Sequence, residues 1–185
     1  MSLTLVLGGA RSGKSRYAQG AAEALARERG VVPTFIATGE AGDAEMAERI
    51  ARHRADRGGG WRTVEAPLAL AEAVANLGAE DVVVVDCLTL WLANSMERAE
   101  GHADRLAALP SALAASPARL WVISNEVGWG IVPDNALARR FRDEAGMLHQ
   151  GVAAVAAETM LVVAGQVLRL SPPSGGSTAE GREGG

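Results

Sequence analysis

Directly after the apolar run LTLVL the chain reads GGARSGKS. Gly8, Gly13, Lys14 and Ser15 meet the spacing G-x-x-x-x-G-K-S, with a strand-like run before them and the helix-favouring RYAQGAAEALARER after them. In such a loop the glycines let successive backbone N–H groups converge on phosphate oxygens. The lysine reaches the β- and γ-phosphates, and the serine hydroxyl is offered to Mg²⁺. The helix that starts here adds its positive N-terminal end. Of 18 basic residues, Lys14 is the only lysine. A chain that otherwise writes arginine keeps a compact ammonium where a planar fork does not fit. The motif predicts a nucleoside triphosphate site.

Apolar runs alternate with helical stretches along the chain. Strands are expected at LTLVLG, VPTFIAT, DVVVVD, ARLWVIS, TMLVVAG and QVLRL, and helices at 14–28, 43–57, 68–77, 88–97, 103–115 and 134–157. Continuous Val/Leu/Ile strands separated by helices predict an α/β fold, a mainly parallel sheet covered on both faces, with the ligand at the carboxyl ends of the strands. With 185 residues, 48% of them hydrophobic, the chain suits one core. Residues 1–170 are expected to form a single domain. The tail SPPSGGSTAEGREGG lacks apolar anchors and is expected to be disordered.

Other features narrow the function. The net charge of −4, with arginines scattered among acids, leaves no basic stripe for nucleic acid. Cys87, the one cysteine, sits in an apolar stretch and reads as a small buried hydrophobe. The chain runs straight into a strand without a basic leader, and no apolar run approaches about 18 residues, so a soluble, cytoplasmic protein without a membrane span is expected.

The buried-strand pattern DVVVVD ends in Asp86, which falls beside the phosphate loop and suits a metal or metal-water ligand. Asp81, at the other end, reads as a turn residue. The guanine-reading N-K-x-D tetrad is absent, and RHRADR is at most a short substitute for an arginine-rich lid. In GDAEMAERIARHRADRGGGWRTVEAP, Asp43 can cap a helix with Glu45 in its first turn, and Met46, Ile50 and His53 fall on one face. Two readings of His53 stand on spacing alone: a packed residue at the end of an apolar stripe, or a nucleophilic imidazole among Arg52, Arg54 and Arg57. His102 and His149 have less to mark them. In SNEVGWGIVPDN, Asn125, Glu126 and two glycines suit a loop closing on a ligand, or a structural loop. Trp91 and Trp129 suit core packing first, and a ligand or subunit contact second.

Taken together, LVLGGARSGKSRYA, FIATG, EMAERIARHRADRGGGWRTVE, VVDCLTLWLANSM, SNEVGWGIVPDNALARRFRDEAG and LVVAG resemble the bifunctional adenosylcobinamide kinase / adenosylcobinamide-phosphate guanylyltransferase family of cobalamin biosynthesis. The likeness runs in order through residues 3–170. It implies a P-loop fold of RecA-like type and two reactions. The aminopropanol hydroxyl of adenosylcobinamide takes the γ-phosphoryl group of ATP or GTP. A histidine then attacks the α-phosphate of GTP, and adenosylcobinamide phosphate takes the GMP. By position in ARHRADR that histidine is His53.

The resemblance further implies nucleotide contacts at Gly8, Gly9, Ala10, Arg11, Ser12, Gly13, Lys14 and Ser15, at Ala37, Thr38 and Gly39, at Arg54, Ala55, Asp56 and Arg57, and at Glu65 and Asp86. Mg²⁺ would be held by Ser15 and Asp86, and Lys14 would share in catalysis. It also implies a homo-oligomer, a trimer. Two departures stand out: GGG at 58–60 where a proline and bulkier residues are expected, and His149 where asparagine is expected. The competing readings are a simple P-loop kinase with a structural His53, and a non-catalytic nucleotide-dependent assembly module of RecA-like type.

Overall fold

Four consecutive valines leave no side of a strand suited to water, and Val82, Val83, Val84 and Val85 are all fully buried in β4 (Val82–Asp86). The computed structural model describes residues 2–40, 48 and 58–170 of the chain. Within them, β4 lies in a seven-stranded sheet with β1 (Ser2–Gly8), β2 (Thr34–Ala37), β3 (Arg62–Glu65), β5 (Arg119–Asn125), β6 (Glu158–Val163) and β7 (Gln166–Arg169). The order is β3-β2-β4-β5-β1-β6-β7. All pairings are parallel except β6 with β7. The chain thus has the expected α/β architecture, and the final strand closes it as an antiparallel hairpin.

Side-chain alternation divides the interior into two cores. Val6, Phe35, Val82, Val84, Trp121 and Ile123 face α1 (Lys14–Arg29), whose stripe of Ala18, Ala22 and Ala26 permits a close approach. Leu3, Leu5, Ile36, Val83, Val85, Leu120 and Val122 face the other way. They pack against α2 (Leu70–Ala75), α3 (Leu88–Glu97), α4 (His102–Ala115) and α5 (Ala136–Val155). Each fully buried Val, Leu or Ile contributes about 1.5–3 kcal/mol, so the two cores dominate stability. Trp91 of α3 is 0% exposed, and its Nε1 donates to the Leu68 carbonyl at 2.9 Å. It is a core residue.

Strand β3 was not among the strands expected from sequence. Its residues RTVE are largely exposed, so no apolar alternation marks them; pairing with β2 makes the strand. The Gly58–Gly60 segment just before it is a 3₁₀ turn. Helices expected at 68–77 and 134–157 are shorter at both ends, and Asn135 caps α5 by accepting from the Ala138 N–H at 2.7 Å. Asp81 is a turn residue, accepting from the Gly78 N–H at 2.7 Å and pairing with Arg62 at 3.0 Å. The expected helix over 43–57 and the expected disordered tail lie outside the described residues. Among those described, no helix is long and apolar enough to cross a membrane.

Candidate active site

Register brings the carboxyl ends of five strands into one row. Glu65 stands opposite Ala37, Ala37 opposite Asp86, and Gly8 opposite Asn125. The phosphate loop leaves β1 at this edge and turns into α1. Gly13 takes φ +98°, a conformation in which a side chain would be strained. It offers no side-chain cap to α1, and no acidic residue stands in that helix's first turn. An uncapped helix start without local carboxylates is suited to an anion from outside.

Lys14, the first residue of α1, is buried at 7% exposure and its Nζ donates to the Gly9 carbonyl at 3.0 Å. The ammonium is therefore folded over the loop. The loop is braced from behind by the β6–β7 turn, where the Gly165 N–H donates to the Ser12 carbonyl at 2.8 Å. Ser12 Oγ is buried and has no hydrogen-bond partner among the described residues. Gly9, Ala10 and Arg11 are exposed along the loop, and Ser15 is half-buried.

Two strands away, β4 delivers Asp86 half-buried at the same edge. Its neighbours fix that strand end. Thr38 is fully buried; its N–H donates to the Asp86 carbonyl at 3.1 Å, and its hydroxyl bridges the Cys87 carbonyl and N–H at 2.8 Å each. The Thr38 carbonyl accepts from Asn94 Nδ2 at 2.7 Å. Thr38 thus spends its polar groups tying β2 to β4, while Ala37 and Gly39 on either side stay partly open. Burial first, and the Asp86 charge second, push the Cys87 thiol up, so it stays un-ionised, as a small buried residue does.

Ser15 hydroxyl and Asp86 carboxylate are hard oxygen donors and fit Mg²⁺. Among the described residues no group of three or more His, Cys, Asp or Glu is able to cage a metal. One carboxylate and a hydroxyl completed by phosphate oxygens is the arrangement Mg²⁺ commonly takes.

Beyond β5, the Glu126 N–H donates to the Gly8 carbonyl at 3.0 Å, which seats the following loop on the phosphate-loop strand. Asn125 Nδ2 donates to Thr89 Oγ1 at 3.0 Å. Buried His149 of α5 reaches Ser124 Oγ with Nε2 at 2.7 Å. Trp129, Ile131 and Val132 of the same loop are exposed, so core packing, which suits Trp91, does not describe Trp129. His102 is committed elsewhere, between Ser95 Oγ at 2.9 Å and Glu144 at 2.7 Å.

The structure therefore brings Gly8 to Ser15, Ala37, Gly39 and Asp86 to one edge, with Glu65 at its far end on β3. His53, Arg54, Ala55, Asp56 and Arg57 lie outside the described residues. Sequence reading missed the Thr38–Cys87–Asn94 tie and the bracing turn at Ala164 and Gly165. The latter did carry a signal, the AG pair between two apolar runs; both residues take positive φ.

Residues 4–170 match the family described as cobinamide kinase / cobinamide phosphate guanyltransferase. The chain is 47% identical over 167 residues to the bifunctional adenosylcobalamin biosynthesis protein CobP of Pseudomonas aeruginosa, covering 87% of this chain and 92% of that one. Identity to the bifunctional adenosylcobalamin biosynthesis protein CobU of Escherichia coli is 40% over 179 residues, covering 88% of this chain and 96% of that one. Among solved structures, a KaiC-like protein of Pyrococcus horikoshii superposes with a TM-score of 0.51 at 15% identity, over 86% of this chain and 70% of that one, a likeness of fold alone.

Proposed function

Because the chain belongs to the cobinamide kinase / cobinamide phosphate guanyltransferase family, we propose that it phosphorylates the aminopropanol hydroxyl of adenosylcobinamide and then transfers GMP from GTP to the product through a guanylyl-histidine at His53. The observation that carries the reading is the phosphate loop itself. Its sole lysine lies buried over the loop, the helix behind it is uncapped, and a carboxylate two strands away stands at the same edge. Family membership sets aside the simple kinase and the non-catalytic assembly module.

In the first reaction the loop's backbone N–H groups and Lys14 hold the β- and γ-phosphates of ATP or GTP and offset their charge. Positioning then does most of the work. Ser15 and Asp86 would hold Mg²⁺, which supplies further neutralisation of the triphosphate when bound. In the second reaction His53 attacks the α-phosphorus of GTP, pyrophosphate leaves, and the phosphate of adenosylcobinamide phosphate displaces the histidine. Splitting one transfer into two gives two easier steps. Arg54 and Arg57 offset charge at the α-phosphate, with Ala55 and Asp56 between them. Ala37 and Gly39 border the nucleotide at the end of β2, Thr38 holds that edge in shape, and Glu65 accepts from the guanine N–H groups.

We further assign residues 1–170 to one domain, the cytoplasm as its location, and a trimer as the working unit. Exposed Trp129, Ile131, Val132 and Leu137 give a face that suits coverage by another subunit. Light scattering of the purified protein checks the last point.

The direct test supplies adenosylcobinamide, Mg²⁺ and γ-labelled ATP or GTP, then unlabelled GTP. Label in the corrinoid, followed by a mass gain of one GMP, is expected. Triphosphate binding with no labelled corrinoid would overturn the reading.

A further inference from the structure

One carboxylate at the site edge has no role in the scheme above. Glu126 follows the β5 residue that pairs with Gly8, and its N–H is bonded to the Gly8 carbonyl, so it sits at the root of the phosphate loop. Its side chain is only 18% exposed. Oε1 accepts from the Gly128 N–H at 2.7 Å, while Oε2 faces His149 Nδ1 across 4.0 Å. The far nitrogen of that ring, Nε2, is 2.7 Å from the hydroxyl of fully buried Ser124. A loop N–H thus holds one oxygen of the carboxylate, and an imidazole from α5 stands beyond hydrogen-bond distance of the other.

The other carboxylates of this edge are less suited to meet a phosphoryl acceptor. Glu40 is paired with Arg98 at 2.8 Å. Asp86 serves the metal. Glu65 ends β3, four strand steps from β1, or about 19 Å at roughly 4.8 Å per step. Glu126 directly follows β5, the strand next to the one that leads into the phosphate loop. Phosphoryl transfer needs a group there that orients the nucleophile and takes its proton.

We propose that Glu126 accepts the hydroxyl proton of the phosphoryl acceptor, with His149 as the residue that positions its carboxylate; this rests on the kinase reading above. In the step, the acceptor oxygen bonds to the γ-phosphorus and the bond from that phosphorus to the β–γ bridging oxygen breaks. The electron pair leaves with the nucleoside diphosphate, and the hydroxyl proton passes to Glu126 Oε2. Burial pulls His149 below its ordinary range, and the charge acting against this is that of Glu126 itself. The ring is therefore neutral near pH 7. In the tautomer this role requires, Nε2 accepts from the Ser124 hydroxyl and the proton on Nδ1 points toward Oε2 without cancelling its charge.

The test runs both half-reactions on the full chain: γ-label transfer to adenosylcobinamide, and self-guanylylation from α-labelled GTP without corrinoid. For Glu126→Gln, kcat of phosphoryl transfer is expected to fall about 10²- to 10⁴-fold with the nucleotide KM little changed. Guanylylation should be retained. Glu126→Asp should recover part of the rate. His149→Asn, which can still bond Ser124, should lower kcat about tenfold and move the acidic limb of its pH profile, not KM. Parental kcat in Glu126→Gln, or equal loss of both half-reactions in Glu126→Gln and Glu126→Asp, overturns the proposal. A parent chain that guanylylates itself but transfers no γ-phosphoryl group overturns the kinase reading, and this proposal with it.

Discussion

Replacing Gly8 by alanine places a methyl group where the phosphate loop leaves β1. The added Cβ would lie 2.5 Å from the Val162 carbonyl oxygen and 2.5 Å from Ser12 Oγ. The serine can rotate away at small cost. The carbonyl cannot, because Val162 is paired with Val167 in the β6–β7 hairpin and its neighbour Leu161 is paired with Leu7 of β1. Overpacking against a fixed backbone costs about 1–3 kcal/mol. At roughly 2–4 °C per kcal/mol for a chain of this size, Tm should fall by about 2–12 °C. The same shift moves the loop that receives the phosphates, and a displacement near 1 Å costs about 10²-fold in rate. Gly9→Ala is the control for stability, since its Cβ would meet nothing within 4 Å, and a change within about 0.5 kcal/mol is expected. Thermal unfolding followed by circular dichroism, with calorimetric titration of GTP, reads both effects. Equal melting of Gly8→Ala and the parent, or an equal loss in Gly9→Ala, would refute the reasoning.

Three further outcomes follow from the same geometry. Trp91→Ala empties a fully buried site and leaves the Leu68 carbonyl without its donor; urea unfolding should show a loss of about 3–5 kcal/mol. Lys14→Arg exchanges a compact ammonium bonded to Gly9 for a fork that the buried position does not accommodate. Its GTP affinity should fall about 10- to 150-fold, the equivalent of 1.5–3 kcal/mol for a hydrogen bond to a charged group, with the fold retained. The His149 ring titrates below its ordinary 6.5 in the folded chain, so between the two values the unfolded chain binds more protons. Stability then declines as pH falls through about 6.5 and levels off below the lowered folded value; unfolding midpoints across about pH 7.5 to 5 should slope less in His149→Asn.

Much of this fold was legible because its signals are strong and local. The run of valines in β4 admits only a strand covered on both faces, and the phosphate loop ties a strand end to a helix start. Asp86 ends β4 as expected, because a continuous buried strand has an unambiguous end. Strand β3 was not legible, since its exposed residues are strand only by virtue of β2 beside them. A nucleotide contact at Thr38 is implied by the family resemblance alone. The burial of Thr38 and its ties to Cys87 depend on which strand lies next to β2, which no local pattern reveals. The setting of Glu126 was equally hidden, because His149 lies more than twenty residues further along the chain and meets it only through the packing of α5.

The central claim is that one scaffold uses the triphosphate twice, once as phosphoryl donor and once as nucleotidyl donor. The most direct measurement incubates the parent chain and His53→Ala with Mg²⁺ and GTP labelled at the α-phosphate, then looks for acid-labile, alkali-stable label on the protein. Label on the parent and none on the variant is the predicted result. No label on either, with GTP binding intact, would contradict the account.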